Sequence, residues 1–376
     1  MKTVSGVNDV EVIDLRTDCL TKPTAAMRQA MAEGSAHDVV FNEDPTVNAL
    51  QDRCASLFGK EAALFVPSGT MGNLIGVLTH CNGRGLEVLL GDLSHLVMYE
   101  QGGISQLGGV FARTMPTSSD GMFNVSDVDR YIRPRDDPHE PWTALICVEN
   151  SHNNCGGKVL PLEHLAQVRA KAEEHHVPVH MDGARVMNAI ISQGVEATDV
   201  LKHVDSVSVC LSKGVGAPVG SILAGSAEQI ASAVRMRKVL GGGWRKPGGL
   251  ANAAMVAMDG MHERISNDHK NAQRLAKGIM QKSHNLVNID LTGVHTNIVM
   301  VDTVHPKLTA QQLCDRVAMV TDREQSELKE AIVIKSYAFF KNTVRFCTYG
   351  DIHADHVNVA LKKIHYVLDE FNEQLN

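Results

Sequence analysis

Three stretches of the 376-residue chain place reactive side chains where apolar runs stop. Ser68-Gly69-Thr70 follows the run 62–66 and opens the helix-compatible stretch 71–80. Free amides at a helix start, two hydroxyls and a glycine permitting close approach form a phosphate cradle. Asp182 follows the run 177–181, and Gly183 follows it in turn. A carboxylate at the C-terminal end of a strand in an open α/β sheet can face a cationic heterocycle nitrogen. Lys213 follows the run 206–211 and leads into Gly214-Val215-Gly216. An amine there can serve as a Schiff-base nucleophile when burial or a neighbouring charge lowers its pKa. Lys213 trails Asp182 by 31 residues, which is room for a helical crossover between parallel strands. Taken singly, the first feature is as easily a capped turn and the second an Asp-Gly turn. Taken together they meet the needs of pyridoxal 5'-phosphate: an anchored phosphate, a paired ring nitrogen and an aldehyde held by an amine.

The elements that must carry these groups follow from periodicity. Continuous Val/Ile/Leu runs at 87–90, 144–148, 177–181, 206–211 and 221–224 suit strands covered on both faces. Between them, Leu162, Leu165, Val168 and Ala172 recur at helical spacing, and a second helix is expected over 228–239. This alternation predicts a mostly parallel α/β sheet. Pro247-Gly248-Gly249 reads as a linker into another helical stretch. From about 285 the pattern changes to strand (297–301), helix (308–317), strands (332–334, 344–347) and a final helix with Val357, Ala360, Ile364, Val367 and Phe371 on one face. The expected organisation is a large cofactor-binding domain over 1–265, N-terminal segment included, and a small C-terminal α+β domain over 266–376.

Composition narrows the function. Apolar residues make up 44% of the chain and charged residues 21%, which excludes a disordered or collagen-like polymer. With 36 Lys and Arg against 43 Asp and Glu, the net charge of −7 gives no footprint for nucleic acid or an anionic membrane. No apolar run reaches bilayer length, residues 1–12 lack the apolar core of a secretory signal, and eight scattered cysteines fit free thiols, so a cytoplasmic location is expected. GxGxxG and Walker A motifs are absent, which argues against nicotinamide and P-loop chemistry. His175, His176 and His180 lie close together and His152 precedes Cys155 by three, but without a CxxC or HExxH pattern no metal is expected.

The chain resembles the low-specificity L-threonine aldolases, within the fold-type I (aspartate aminotransferase-like) pyridoxal-phosphate enzymes. The resemblance rests on Asp44-Pro45-Thr46, GKEAALFVPSGTMGN at 59–73, Gly91-Asp92-Leu93-Ser94-His95, Glu149-Asn150-Ser151-His152-Asn153, GGKVLPL at 156–162, DGARVMN at 182–188, DSVSVCLSKGVGAPVGS at 205–221 and RKVLGGGWR at 237–245. It implies retro-aldol cleavage of L-threonine or L-allo-threonine to glycine and acetaldehyde through a Lys213 Schiff base. Asp182 keeps the ring nitrogen protonated, His95 stacks on the ring and His152 borders the hydroxyl side. The base for the β-hydroxyl is His95, His152 or a water held by the pair. Arg185 and Arg345 match the family's positions for the substrate carboxylate, with Thr17 beside them. Lys238 and Arg245 resemble residues that reach the phosphate end or a neighbouring subunit, although a solvated basic helix end suits them almost as well. The family assembles as homotetramers, dimers of dimers. Another pyridoxal-phosphate lyase of β-hydroxy amino acids, or a non-catalytic relative, are the alternatives. Departures are Thr17-Asp18-Cys19 where Ser-Asp-Thr is usual, Val39-Val40-Phe41 without the usual tyrosine, Tyr349 in place of a histidine, and a Pro-rich surface insertion at 133–141.

Overall fold

The structure, a computed structural model, describes residues 10–375. Among these the strands in chain order are β1 (Glu11–Asp14), β2 (Ala62–Val66), β3 (Leu86–Gly91), β4 (Phe111–Met115), β5 (Trp142–Glu149), β6 (Val179–Asp182) and β7 (Ser206–Cys210). They continue with β8 (Ser221–Gly225), β9 (Val287–Asn288), β10 (Ile298–Thr303), β11 (Ile332–Lys335), β12 (Tyr337–Phe340) and β13 (Thr343–Cys347). The chain divides into two compact units, one spanning Thr21–Ile265 and the other joining the N-terminal stretch up to Leu20 to the chain from Ser266 onward.

The larger unit is built on a seven-stranded sheet in the order β2-β8-β7-β6-β5-β3-β4. Neighbours from β4 to β7 run parallel, each pair joined through a crossover. β8 is antiparallel to both β7 and β2. The reason is length: the segment between β7 and β8 folds tightly back, with the Leu211 amide donating to the Gly220 carbonyl at 3.0 Å, too short for a crossover helix. Every residue of β6, β7 and β8 is buried, as expected of strands covered on both faces. The expected mostly parallel α/β sheet is therefore the one observed.

One helix decides where the strand ends lie. Gly69–His80 runs across the sheet with glycines at 72 and 76 turned onto it. A Cβ on Gly72 would stand 2.3 Å from Ser208 Oγ, and one on Gly76 2.5 Å from the His180 ring. The missing side chains let the helix axis sink close to β6 and β7, which sets its first turn beside their C-terminal ends. A second close approach corrects the reading of Pro247-Gly248-Gly249 as a linker. Gly248 already begins the helix Gly248–Asp259, and a Cβ on Gly249 would meet the Met31 carbonyl at 2.7 Å. These glycines seat that helix against the helix Ala25–Glu33.

In the other unit β12-β13-β10-β9 form an antiparallel sheet, and β1 pairs in parallel with β11. The N-terminal segment expected with the large domain thus belongs with the C-terminal part, because Ile13 and Leu15 are buried among Ile332, Ile334 and Val344. The last helix, Ala354–Leu375, buries Val357, Ala360, Ile364 and Val367 as expected. β1, β4, β9 and β12 were not foreseen. β4 is an edge strand with Phe111 exposed, and its polar Arg113-Thr114 hides the apolar pattern of a strand. No helix among the described residues is long and apolar enough to cross a membrane. The signal reading for 1–9 lies outside the described residues.

Gly76→Leu should force a side chain into the His180 ring. Overpacking of this kind costs about 1–3 kcal/mol, so the unfolding midpoint, followed by circular dichroism, is expected to fall by several degrees.

Candidate functional site

Four neighbouring strand ends in the larger unit carry the polar groups. Asp182 closes β6 in register with Glu149 at the end of β5 and Ser208 in β7. Lys213 lies in the turn just past β7, half-buried. His95 begins a short helix, His95–Met98, after β3.

Asp182 is 1% exposed. Its Oδ1 accepts from the Ala184 amide at 3.1 Å, whereas its Oδ2 is buried with no hydrogen-bond partner. Burial, reinforced by the carboxylates of Glu149 and Glu100, pushes its pKa up to about 7, against the opposing pull of His95 and Lys213. A carboxyl oxygen left bare in such a place is costly unless a donor or cation meets it.

Glu149 organises the rest. One oxygen accepts from the His95 amide at 2.7 Å and the other from the Asn153 amide at 2.8 Å. Asn153 in turn accepts from Arg185 through its side-chain oxygen at 3.0 Å. Arg185 is 5% exposed, so a planar guanidinium is held at the sheet end by groups on β5 and the loop after it. His95 Nδ1 meets Glu100 Oε1 at 2.9 Å. Burial alone would lower the His95 pKa, but the Glu100 hydrogen bond and the charges of Asp182, Glu100 and Glu149 leave it raised. His152 is 2% exposed, pinned through its backbone to Lys158 at 2.8 Å, and its Nδ1 has no partner.

Ser68 is the N-cap of the helix Gly69–His80, its hydroxyl accepting from the Met71 amide at 3.2 Å. That hydroxyl keeps its own O–H to donate, so capping the helix does not remove it from the expected cradle. The free amides of the first turn and Thr70, which is exposed, remain to face an anion. Arg245 is exposed and its Nε donates to Asp38 Oδ2 at 2.6 Å. Lys238 is exposed at the end of the helix Ala227–Val239.

In the other unit Thr17 Oγ1 accepts from the Cys19 amide at 3.3 Å. Arg345, 4% exposed in β13, donates to the Arg16 carbonyl at 3.1 Å and is flanked by the rings of Tyr337 and Phe339. Two of the residues expected near the substrate, Thr17 and Arg345, therefore lie in that unit, whereas Arg185 and His152 lie in the larger one.

Sequence reasoning gave no role to Glu100, Glu149 or Asn73, although the last two stand in quoted blocks. The usable signal was a Glu five residues after His95, on the next turn of chain. Of the histidines weighed for metal, His175 pairs with Asp129 at 2.8 Å on the surface and His180 is buried in the sheet.

Comparison with known proteins places this arrangement. Residues 14–305 match the β-eliminating lyase family. A probable low-specificity L-threonine aldolase of Arabidopsis thaliana is 43% identical over 94% of this chain and 98% of its own. The low specificity L-threonine aldolase of Escherichia coli K12 is 40% identical over 77% of this chain and 84% of its own. The solved structure of a putative L-allo-threonine aldolase from Listeria monocytogenes superposes with a TM-score of 0.76 at 19% identity, covering 94% of this chain and 96% of that one.

The raised Asp182 pKa has a measurable consequence in the apoprotein. A carboxyl that titrates at about 7 when folded and near 3.8 when unfolded loses stability as pH rises between those values. The raised His95 adds a loss in the same direction as pH rises above about 6.5. Asp182→Asn removes the first effect, so its melting temperature relative to the unaltered apoprotein should be higher at pH 7.5 than at pH 5. Equal differences at both pH values, by scanning calorimetry, would contradict the assignment.

Proposed function

The chain belongs to the low-specificity L-threonine aldolase family, and we propose that it uses pyridoxal 5'-phosphate to cleave L-threonine or L-allo-threonine into glycine and acetaldehyde. The single observation that carries this reading is the buried, unpartnered Oδ2 of Asp182 at the strand end next to the one reached by Lys213. A ring nitrogen bearing a proton satisfies that oxygen, and the helix start at Gly69 supplies amides for a phosphate. The donor set therefore fits the cofactor. When bound, the cofactor supplies an electron sink for the pair left on Cα when Cα–Cβ breaks.

The chain's own residues do the rest. Lys213 is the amine that holds the cofactor aldehyde and releases it to the amino acid. Asp182 keeps a proton on the ring nitrogen, and the adjacent charges of Glu149 and Glu100 strengthen its hold on that proton. Arg185, fixed by Asn153, offers a two-pronged donor to the substrate carboxylate. The roles of Arg345 and Thr17 toward that carboxylate, and of Lys238 and Arg245 toward the phosphate, belong to the proposal through the family pattern. The proton of the β-hydroxyl passes to His95 Nε2. Its Nδ1 is committed to Glu100, and the surrounding carboxylates stabilise the imidazolium that forms. His152, buried with Nδ1 unused, orients the hydroxyl from the other side.

A homotetramer built as a dimer of dimers, in the cytoplasm, completes the proposal. It is supported by the family pattern, by exposed Lys238 and Arg245 available to a second copy, and by eight free cysteines.

Purified protein supplied with pyridoxal phosphate is expected to release acetaldehyde from L-threonine or L-allo-threonine. Lys213→Ala should abolish both that release and the borohydride-reducible chromophore. Asp182→Asn should lower kcat by about 10²–10³-fold, the loss typical of a deleted electrostatic contact to developing charge. Cofactor binding without aldehyde from either substrate would sink the aldolase assignment and favour β-elimination.

A further inference from the structure

Behind His95 a line of buried polar groups runs inward through the larger unit. Glu100 Oε1 accepts two hydrogen bonds, from His95 Nδ1 at 2.9 Å and from Asn73 Nδ2 at 2.9 Å. The Asn73 oxygen lies 3.3 Å from His180 Nε2, and His180 Nδ1 lies 2.8 Å from Ser206 Oγ. Ser206 Oγ in turn lies 2.8 Å from His80 Nε2. Glu100, Asn73, His180 and Ser206 are all at most 5% exposed.

The hydrogen positions along this line are not free. Burial pushes the pKa of His180 to about 3 and that of His80 to about 4, so both are neutral and each ring has one N–H. The Asn73 oxygen cannot donate, so His180 donates through Nε2 and its Nδ1 is bare. Ser206 must then donate to Nδ1 and accept from His80 Nε2–H. At the far end the Gln229 amide approaches His80 Nε2 at 2.8 Å. Turned over, that amide would offer its oxygen, unpartnered in this orientation, to share the same N–H with Ser206. From His80 inward every bond thus points toward Glu100, whose oxygen accepts, and His95 Nδ1 is left as the donor.

We propose that Glu100 is a positioning residue for His95, and that Asn73 and His180 hold it so that His95 carries its proton on Nδ1 and presents a bare Nε2 to the reacting centre. The proposal rests on the reading of His95 as the base. A chain of hydrogen bonds all donated in one sense gains by mutual polarisation, and a half-satisfied one would be costly in this dry interior. The sheet accommodates it because Gly76 leaves room for the His180 ring. The other groups facing His95 are the Glu149 carboxylate on its amide, Asp182, and the ring of Tyr99 at 5.4 Å. None of these is within reach to fix its tautomer through Nδ1 as Glu100 does.

Two variants of the holoenzyme separate positioning from mere structure. Glu100→Gln keeps the shape and removes the charge. The acid limb of its kcat/KM profile should move to lower pH while kcat falls about tenfold or more, with cofactor absorbance retained. Asn73→Leu removes a donor from Glu100 and leaves that carboxylate more basic toward His95. Its acid limb should move the opposite way, to higher pH. Nitrogen NMR of histidine-labelled holoenzyme, with His95 identified by its loss in His95→Gln, should show the Nδ1–H form. An Nε2–H form in the unaltered enzyme, or acid limbs that stay in place in both variants, would overturn the proposal. Those results would leave the aldolase reading standing provided that His95→Gln loses activity. An active His95→Gln enzyme would instead remove the premise that His95 is the base.

Discussion

A carboxyl group enclosed at a strand end with one oxygen unsatisfied is the constraint around which the larger unit is organised. An unpartnered buried acceptor costs about 1–3 kcal/mol, and more when it is charged. Asp182 carries that cost in the protein alone, and Glu149 and Glu100 raise it by placing two more carboxylates nearby. A cation delivered to that oxygen offsets the cost. A positively charged ring nitrogen reverses the balance, because the two carboxylates that oppose ionisation of Asp182 then join it in attracting the cation.

Holding such a site open demands a rigid frame. The strand ends are fixed by a sheet whose central members β6, β7 and β8 are wholly buried, and by a helix drawn close through Gly72 and Gly76. The apolar cluster below includes Ile146, Met181, Val207 and Val209, so the polar groups stand on a closely packed floor. Glu149 then spends both oxygens on backbone amides rather than on a side chain, which ties the starts of two separate loops to one strand end. Arg185, His95 and Asp182 are thus placed by secondary structure and its hydrogen bonds, with little left to loop freedom.

Much of this was legible in the sequence because it is local. Apolar runs ending in Ser68, Asp182 and Lys213 locate strand ends to within a residue or two, and parallel order follows from alternation with helices. What was not legible depends on partners distant in the chain. The pairing of β1 with β11 joins residues about three hundred positions apart, and nothing near Ile13 announces it. Arg245 was read toward the phosphate end or a neighbouring subunit, and nothing in the sequence announces its bond to Asp38, 207 positions away. Ser68, read as a cradle hydroxyl, is also the cap of its helix. Asn73 and His180 were the least visible of all. A single polar residue in an apolar helix or strand gives no sign of the neighbour that will satisfy it.

The central claim is that the free oxygen of Asp182 meets a protonated ring nitrogen of the cofactor. Nitrogen NMR of the holoenzyme loaded with pyridoxal phosphate labelled at the ring nitrogen reads that proton directly. The account predicts a pyridinium resonance that stays unchanged from pH 6 to pH 9 and changes to that of a neutral pyridine in Asp182→Asn. A neutral pyridine resonance in the unaltered enzyme, or one insensitive to Asp182→Asn, would contradict it.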